Sequence, residues 1–202
     1  MAILFNPAAA RPAALPRRAL ARFTAEAAAR PLKALTHCPA HAETPLIALS
    51  GLAARLGLKR VWFKDERGRM GLGSFKALGG AYAVMTLLED ALRAELGRDP
   101  APDDLIGPDA KCIAARLTVT AATDGNHGLS VAAGARVFGL NCVIFVHARV
   151  GPERIARIEA EGAQVRVVDG LFDDAVAAAR EAGAKDGWAV IGDTALDPDD
   201  PH

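Results

Sequence analysis

Two short segments of this 202-residue chain hold the residue types from which a reactive site can be built. The first is Lys64-Asp65-Glu66-Arg67-Gly68-Arg69-Met70-Gly71-Leu72-Gly73-Ser74-Phe75-Lys76-Ala77-Leu78-Gly79-Gly80. Lys76 stands at a helix start, after a glycine-rich loop and beside Phe75. The positive end of a helix dipole disfavours an ammonium, and partial burial acts the same way. That placement favours the neutral amine that imine formation requires. Taken alone, Lys76 also reads as an ordinary surface lysine at a helix start, which is the commoner case. The second segment is Thr123-Asp124-Gly125-Asn126-His127-Gly128, after a strand and opening a helix. Its glycines let a ligand approach the backbone, and the helix start offers N–H groups to an anion such as a substrate carboxylate. Asn126 can donate to a phenolate-type oxygen, and Asp124 can accept a proton. The plain alternative is a strand-to-helix turn capped by Asp124, with His127 as a polar turn residue. Neither the dinucleotide-binding GxGxxG nor the P-loop pattern is present.

The elements that must position these segments follow from periodicity. Met1 to Pro16 reads as an Ala/Pro-rich extended arm, and Arg17 to Leu35 as a helix. Thr44-Pro45 reads as a helix start, with Leu46, Leu49, Leu52 and Leu56 along it and Gly57 as its cap. Arg60 to Lys64 is a short strand, and a helix from Ser74 carries Leu78, Tyr82, Met85 and Leu88 on one side. Gly97 to Gly107 is a polar connection. Strands are predicted at Leu117 to Ala122, Asn141 to His147, Gln164 to Val168 and Trp188 to Ile191. Helices alternate with them: one opens at Asp124 and ends at Gly139, one runs from Pro152 to Glu161, and one from Asp173 to Glu181. Strands alternating with helices across short Gly-marked connections imply βαβ crossovers, hence an α/β fold with an open, mostly parallel sheet and flanking helices. Asp197 to His202 reads as a solvated tail.

Composition narrows the function classes. The chain is 51% hydrophobic, enough for a real core, and its 24 basic and 24 acidic residues cancel. No net field draws in nucleic acid or an anionic membrane, so neither is expected as a partner. Cys38, Cys112 and Cys142 are scattered and form no CxxC pair, which suggests free thiols in a reducing compartment and no zinc site; no metal is expected. No apolar run approaches the ~18 residues of a membrane span. Arg11, Arg17, Arg18 and Arg22 stand before Phe23 with no acid among them, a profile closer to a basic helix than to a transit peptide. A cytoplasmic location is expected. His37, His41, His147 and His202 attract no assignment, and His127 reads as a turn-packing residue. Arg149, Arg154 and Arg157 read as a solvated helix face.

The Ser-Phe-Lys segment followed one crossover later by Asp-Gly-Asn-His-Gly resembles the pyridoxal-phosphate enzymes of the tryptophan synthase β-subunit type (fold type II). Within that group, Lys64 to Gly80, Ala122 to Gly128 and Asp193-Thr194-Ala195 are similar to the diaminopropionate ammonia-lyases, and Asp124, where the wider group has Ser, points the same way. Phe5-Asn6-Pro7 and Thr44-Pro45-Leu46 fit as well, so the resemblance runs from about residue 5 to 195. It implies pyridoxal 5'-phosphate as cofactor and a small amino acid as substrate. It implies that Lys76 carries the cofactor as an imine, that Asn126 bonds the cofactor's 3′-oxygen, and that Thr123 and Gly125 meet the substrate carboxylate. Lys76 and Asp124 become the bases for the two enantiomers of 2,3-diaminopropionate, which loses its β-amino group and ends as pyruvate and ammonia.

Members of that family are longer. Their second half completes a larger domain, with a Gly-rich phosphate loop and a partner for the ring nitrogen; the resemblance also suggests a homodimer. The expected organisation here is residues 1–70 as an arm and part of the larger domain, 71–193 as the smaller open-sheet domain, and 194–202 as a disordered tail. After Ala195 the sequence leaves the family pattern, as a truncated gene product would, with reduced activity alone and exposed apolar surface inviting self-association. Two other functions are kept beside the lyase: a threonine or serine dehydratase, and a non-catalytic truncated remnant.

Overall fold

The structure is a computed structural model, and it describes Leu20 and residues 24–193. The expected arm, most of the basic segment before Thr24 and the expected tail lie outside the described residues. The chain divides into two compact units, 1–39 and 40–202. In the first, helix α1 (Ala25–Thr36) starts where the Thr24 hydroxyl accepts from the Ala27 N–H at 3.1 Å.

The second unit opens with an antiparallel pair, β1 (Leu46–Ala48) and β2 (Trp62–Lys64), in the register Ile47 opposite Phe63. Between them lies the short helix α2 (Ser50–Leu56), closed by Gly57. The single helix expected from Thr44-Pro45 is therefore a strand followed by a helix. The reason is tertiary: Leu46 to Ala48 finds strand partners in Trp62 to Lys64, and this pairing outweighs the local helix-start signal. Thr44 is drawn away from capping as well. Its hydroxyl donates to Glu66 Oε1 (2.6 Å) and accepts from Arg69 Nη2 (2.8 Å). Arg69 also reaches Glu66 Oε2 and the Ala42 carbonyl, so a 3₁₀ turn at Glu66–Gly71 ties the chain before β1 to the chain after β2. The Arg69 and Thr44 contacts hold the Glu66 carboxyl down at about 2.

The body of the unit is a four-stranded parallel sheet of β3 (Thr118–Ala122), β4 (Asn141–His147), β5 (Gln164–Val168) and β6 (Ala189–Val190), in the order β5-β4-β3-β6. Its helices are α3 (Ala77–Leu96), α4 (Pro108–Ala114), α5 (Asn126–Phe138), α6 (Pro152–Glu159) and α7 (Phe172–Asp186), with a 3₁₀ turn at Pro102–Ile106 in the polar connection. Alternation along β4 sorts them into layers. Cys142, Ile144 and Val146 pack in the core with α3, α5 and Ile158 of α6, while Val143 and Phe145 face Ala175 and Ala179 of α7. Burial of this kind pushes the Cys142 thiol up to about 12.

The predicted strands and the α5 and α6 helices fall where expected, whereas α3 presents a different face. Its buried residues are Ala77, Gly80, Val84, Leu88 and Leu92, and only Leu88 belongs to the expected stripe. Small residues decide this. A Cβ on Gly80 would lie 2.7 Å from Ser130 Oγ, and one on Gly134 would lie 2.8 Å from Ala81 Cα. The two helices approach along Gly80, Ala81, Ser130 and Gly134, and the larger side chains flank that contact.

Candidate active site

In an open parallel sheet, ligands bind outside the carboxyl ends of the strands, where the strand order reverses. Here β3, β4 and β5 advance in one direction, and the chain then returns through α7 to put β6 beside β3. The reversal point lies between β3 and β6. Directly beyond it is a cavity of about 440 Å³ whose lining includes Lys76, Asp124, Asn126, Arg154, Arg157 and Asp193.

The loop after β3 is built from Thr123. Its buried hydroxyl accepts from the N–H groups of Gly125 (2.9 Å) and Gly128 (3.0 Å), folding the chain from strand into α5. Gly125 sits at φ +149°, a conformation side chains rarely adopt, and a Cβ there would meet Arg154 Cδ at 3.3 Å. A Cβ on Gly128 would lie 2.4 Å from Thr123 Cγ2. Both glycines are thus required by the turn. Leu129 N–H returns to the Gly125 carbonyl, so the helix start leaves the N–H groups of Asn126 and His127 without an acceptor among the described residues. Of the residues expected to meet a carboxylate, Thr123 accepts twice within the turn through its hydroxyl oxygen, and the Gly125 N–H is one of those two donors. The backbone donors at the helix start that the turn does not engage belong to Asn126 and His127. The His127 ring is buried, with Nε2 at 2.8 Å from the Ile191 carbonyl, which ties α5 to the end of β6 as its turn-packing reading requires.

Lys76 stands just before the first residue of α3, one-third exposed, and its ammonium pairs with the Asp193 carboxylate just past β6. The neighbouring Phe75 is 63% exposed, and the group that meets the lysine is a carboxylate. Asp124 is also open to the cavity. Its carboxylate lies 3.1 Å from His147 Nε2 and its carbonyl accepts from Arg154 Nη1 at 3.1 Å.

Lys76, Asp124 and Asn126 are therefore brought to one cavity with the α5 helix start. Sequence reasoning gave Asp193 no role of its own in the site and read Arg154 and Arg157 as a solvated face. The two arginines are exposed, as a solvated face requires, but they lie on the cavity side of α6, where Arg157 Nη2 donates to the Leu72 carbonyl at 3.3 Å. One signal could have found them. Asp193 follows the carboxyl end of β6, and Arg154 and Arg157 lie in the helix that opens after the carboxyl end of β4, which is where an open parallel sheet places its ligands.

An amine, a side-chain amide and two helix-start N–H groups without an acceptor among the described residues, around one cavity, suit an aldehyde cofactor with a phenolic oxygen and an amino-acid substrate with a carboxylate. Residues 38–202 match the family described as "Pyridoxal-phosphate dependent enzyme", and the chain belongs to it. It has the fold type II architecture, with pyridoxal phosphate as the family's cofactor. Among curated proteins, the chain is 38% identical to diaminopropionate ammonia-lyase of Escherichia coli (strain K12) over 153 residues, 75% of this chain and 37% of that protein. It is 33% identical to "Probable D-serine dehydratase" of Acidovorax sp. (strain JS42), across 71% of this chain and 34% of the relative. Holo diaminopropionate ammonia-lyase from Escherichia coli superposes with a TM-score of 0.74 at 34% identity, covering 86% of this chain and 43% of that one. The chain thus spans well under half the length of these relatives. Among the described residues, no helix is long and apolar enough to cross a membrane.

Proposed function

We propose that this chain carries the lysine-bearing part of an active site for pyridoxal-phosphate-dependent α,β-elimination from a small amino acid, 2,3-diaminopropionate in the first instance. The observation that carries this reading is that Lys76, Asp124 and the free N–H groups at the start of α5 all open on one cavity. When bound, the cofactor supplies an electron sink for a Cα carbanion. The rest is the work of side chains. Lys76 Nζ is the attachment point, and Asp193 keeps it turned into the cavity. The N–H groups of Asn126 and His127 would hold the substrate carboxylate at the positive end of α5, and the Asn126 amide would donate to the cofactor's phenolic oxygen. Lys76 takes the α-proton from one enantiomer and Asp124 from the other. The β-amino group leaves as ammonia, and with one water the products are pyruvate and two ammonia.

A second reading, elimination of water from D-serine, is favoured by the likeness to a protein bearing that name. Both readings are tested on the purified full chain. Added pyridoxal phosphate is expected to give a visible absorbance band that Lys76→Ala abolishes, and absence of a band at saturating cofactor would overturn the cofactor role. Pyruvate release from D- and L-diaminopropionate beside D-serine then decides the leaving group. Faster turnover of D-serine would replace the first reading by the second.

A further inference from the structure

His147 ends β4 with a side chain only 16% exposed, and faces the 65% exposed Asp124, which lines the cavity. Two contacts fix the state of its ring. The Arg149 backbone N–H points at Nδ1 from 3.2 Å, so Nδ1 accepts. That assignment leaves the ring proton on Nε2, which lies 3.1 Å from Asp124 Oδ1. Histidine is therefore the donor and the carboxylate the acceptor. On its other side, Asp124 is held through its carbonyl by Arg154 Nη1 at 3.1 Å, while the Arg154 stem covers the Cα of Gly125. An exposed aspartate ordinarily samples several rotamers; this one is restrained at both ends.

We infer that His147 is a positioning residue that aims the Asp124 carboxylate into the cavity, and that it acts on proton transfer at Asp124 without touching the substrate. The inference rests on the proposed role of Asp124 as base for one enantiomer. One oxygen, Oδ1, is engaged by the imidazole, which leaves Oδ2 as the basic atom. A base held within hydrogen-bond reach is what makes proton transfer efficient, and small misplacements cost orders of magnitude. Lys76 lies on another element, carries its own carboxylate partner and receives nothing from His147, so the other enantiomer is unaffected.

The contact is tested first without cofactor. In ¹⁵N-labelled full-length protein, the His147 ring is expected to show the Nε2–H tautomer, with an imidazole N–H signal that Asp124→Ala broadens or removes. An Nδ1–H tautomer, or a signal indifferent to Asp124→Ala, overturns the inference whatever the chemistry proves to be. The functional arm compares His147→Ala with His147→Gln, whose amide retains a donor. His147→Ala is expected to lower kcat for the enantiomer served by Asp124 about tenfold, with KM and the rate on the other enantiomer unchanged, and His147→Gln to recover most of the loss. Equal losses on both enantiomers, or no recovery in His147→Gln, overturn it. If the cofactor band is absent or neither enantiomer turns over, the proposed function has failed, and the tautomer measurement alone decides the contact.

Discussion

The Thr123 hydroxyl satisfies two backbone N–H groups at once, those of Gly125 and Gly128, and all three residues are buried. Three positions earlier, Thr120 is equally buried but its hydroxyl has no hydrogen-bond partner among the described residues. The two threonines should therefore answer the same substitution with opposite signs. Thr123→Val removes an acceptor and strands two buried donors, an expected loss of about 2 kcal/mol, whereas Thr123→Ser keeps both bonds and should lose less. Thr120→Val exchanges an unpartnered hydroxyl for a methyl of the same shape and should gain about 1 kcal/mol. Urea unfolding of the three variants measures both. A destabilised Thr120→Val would mean that its hydroxyl has a partner after all. Sequence could place both threonines near the end of one strand, but not tell them apart, because the difference lies in which N–H groups the following turn brings within 3 Å.

Helices α3 and α5 illustrate what periodicity can and cannot report. The pattern on α3 gives its position and type, since Leu, Met and Tyr recur at helical spacing. It misassigns the buried face, because hydrophobicity weights large side chains while the closest helix approach selects the smallest. Gly79 and Gly134 separate the two effects. A Cβ at Gly79 has nothing within 4 Å, so Gly79→Ala should gain up to about 1 kcal/mol from helix propensity alone. Gly134→Ala gains the same propensity, but its Cβ would meet the Ala81 backbone at 2.8 Å. Overpacking of that kind costs about 1–3 kcal/mol, and a backbone atom cannot swing aside, so the clash wins and net destabilisation is expected. Thermal unfolding of both variants checks the sign, and a stabilised Gly134→Ala would show that α3 can shift on α5 at little cost. The segment from Leu46 to Leu56 fails for the converse reason. Its helical spacing is genuine, but strand pairing with residues near position 63 is invisible to a local window.

At the scale of the whole second unit, the parallel sheet was readable because each βαβ step is local, and the position of the cleft follows from the topology once the strand order is known. What sequence cannot supply is the meeting of Lys76 with Asp193, 117 residues away, or of Asp124 with His147, since both depend on how β6 and β4 lie beside β3. The same scale accounts for the β1–β2 pair. It is a sheet of two strands with every residue exposed, and Leu46, Ile47, Trp62 and Phe63 lie on its two faces, with Leu52 and Leu56 exposed nearby on α2. Two strands alone are marginal in water, and exposed apolar side chains of this kind favour association. The full chain is therefore expected to bind a hydrophobic dye such as ANS and to self-associate as its concentration rises. Ile47 and Phe63 are direct cross-strand partners, so Ile47→Lys combined with Phe63→Glu removes apolar surface while leaving an attractive pair across the strands. The double variant should lose much of the dye fluorescence and scatter light as a smaller species, with an unchanged far-ultraviolet circular dichroism spectrum. Dye binding that persists undiminished in the folded double variant would place the adhesive surface elsewhere than on this strand pair.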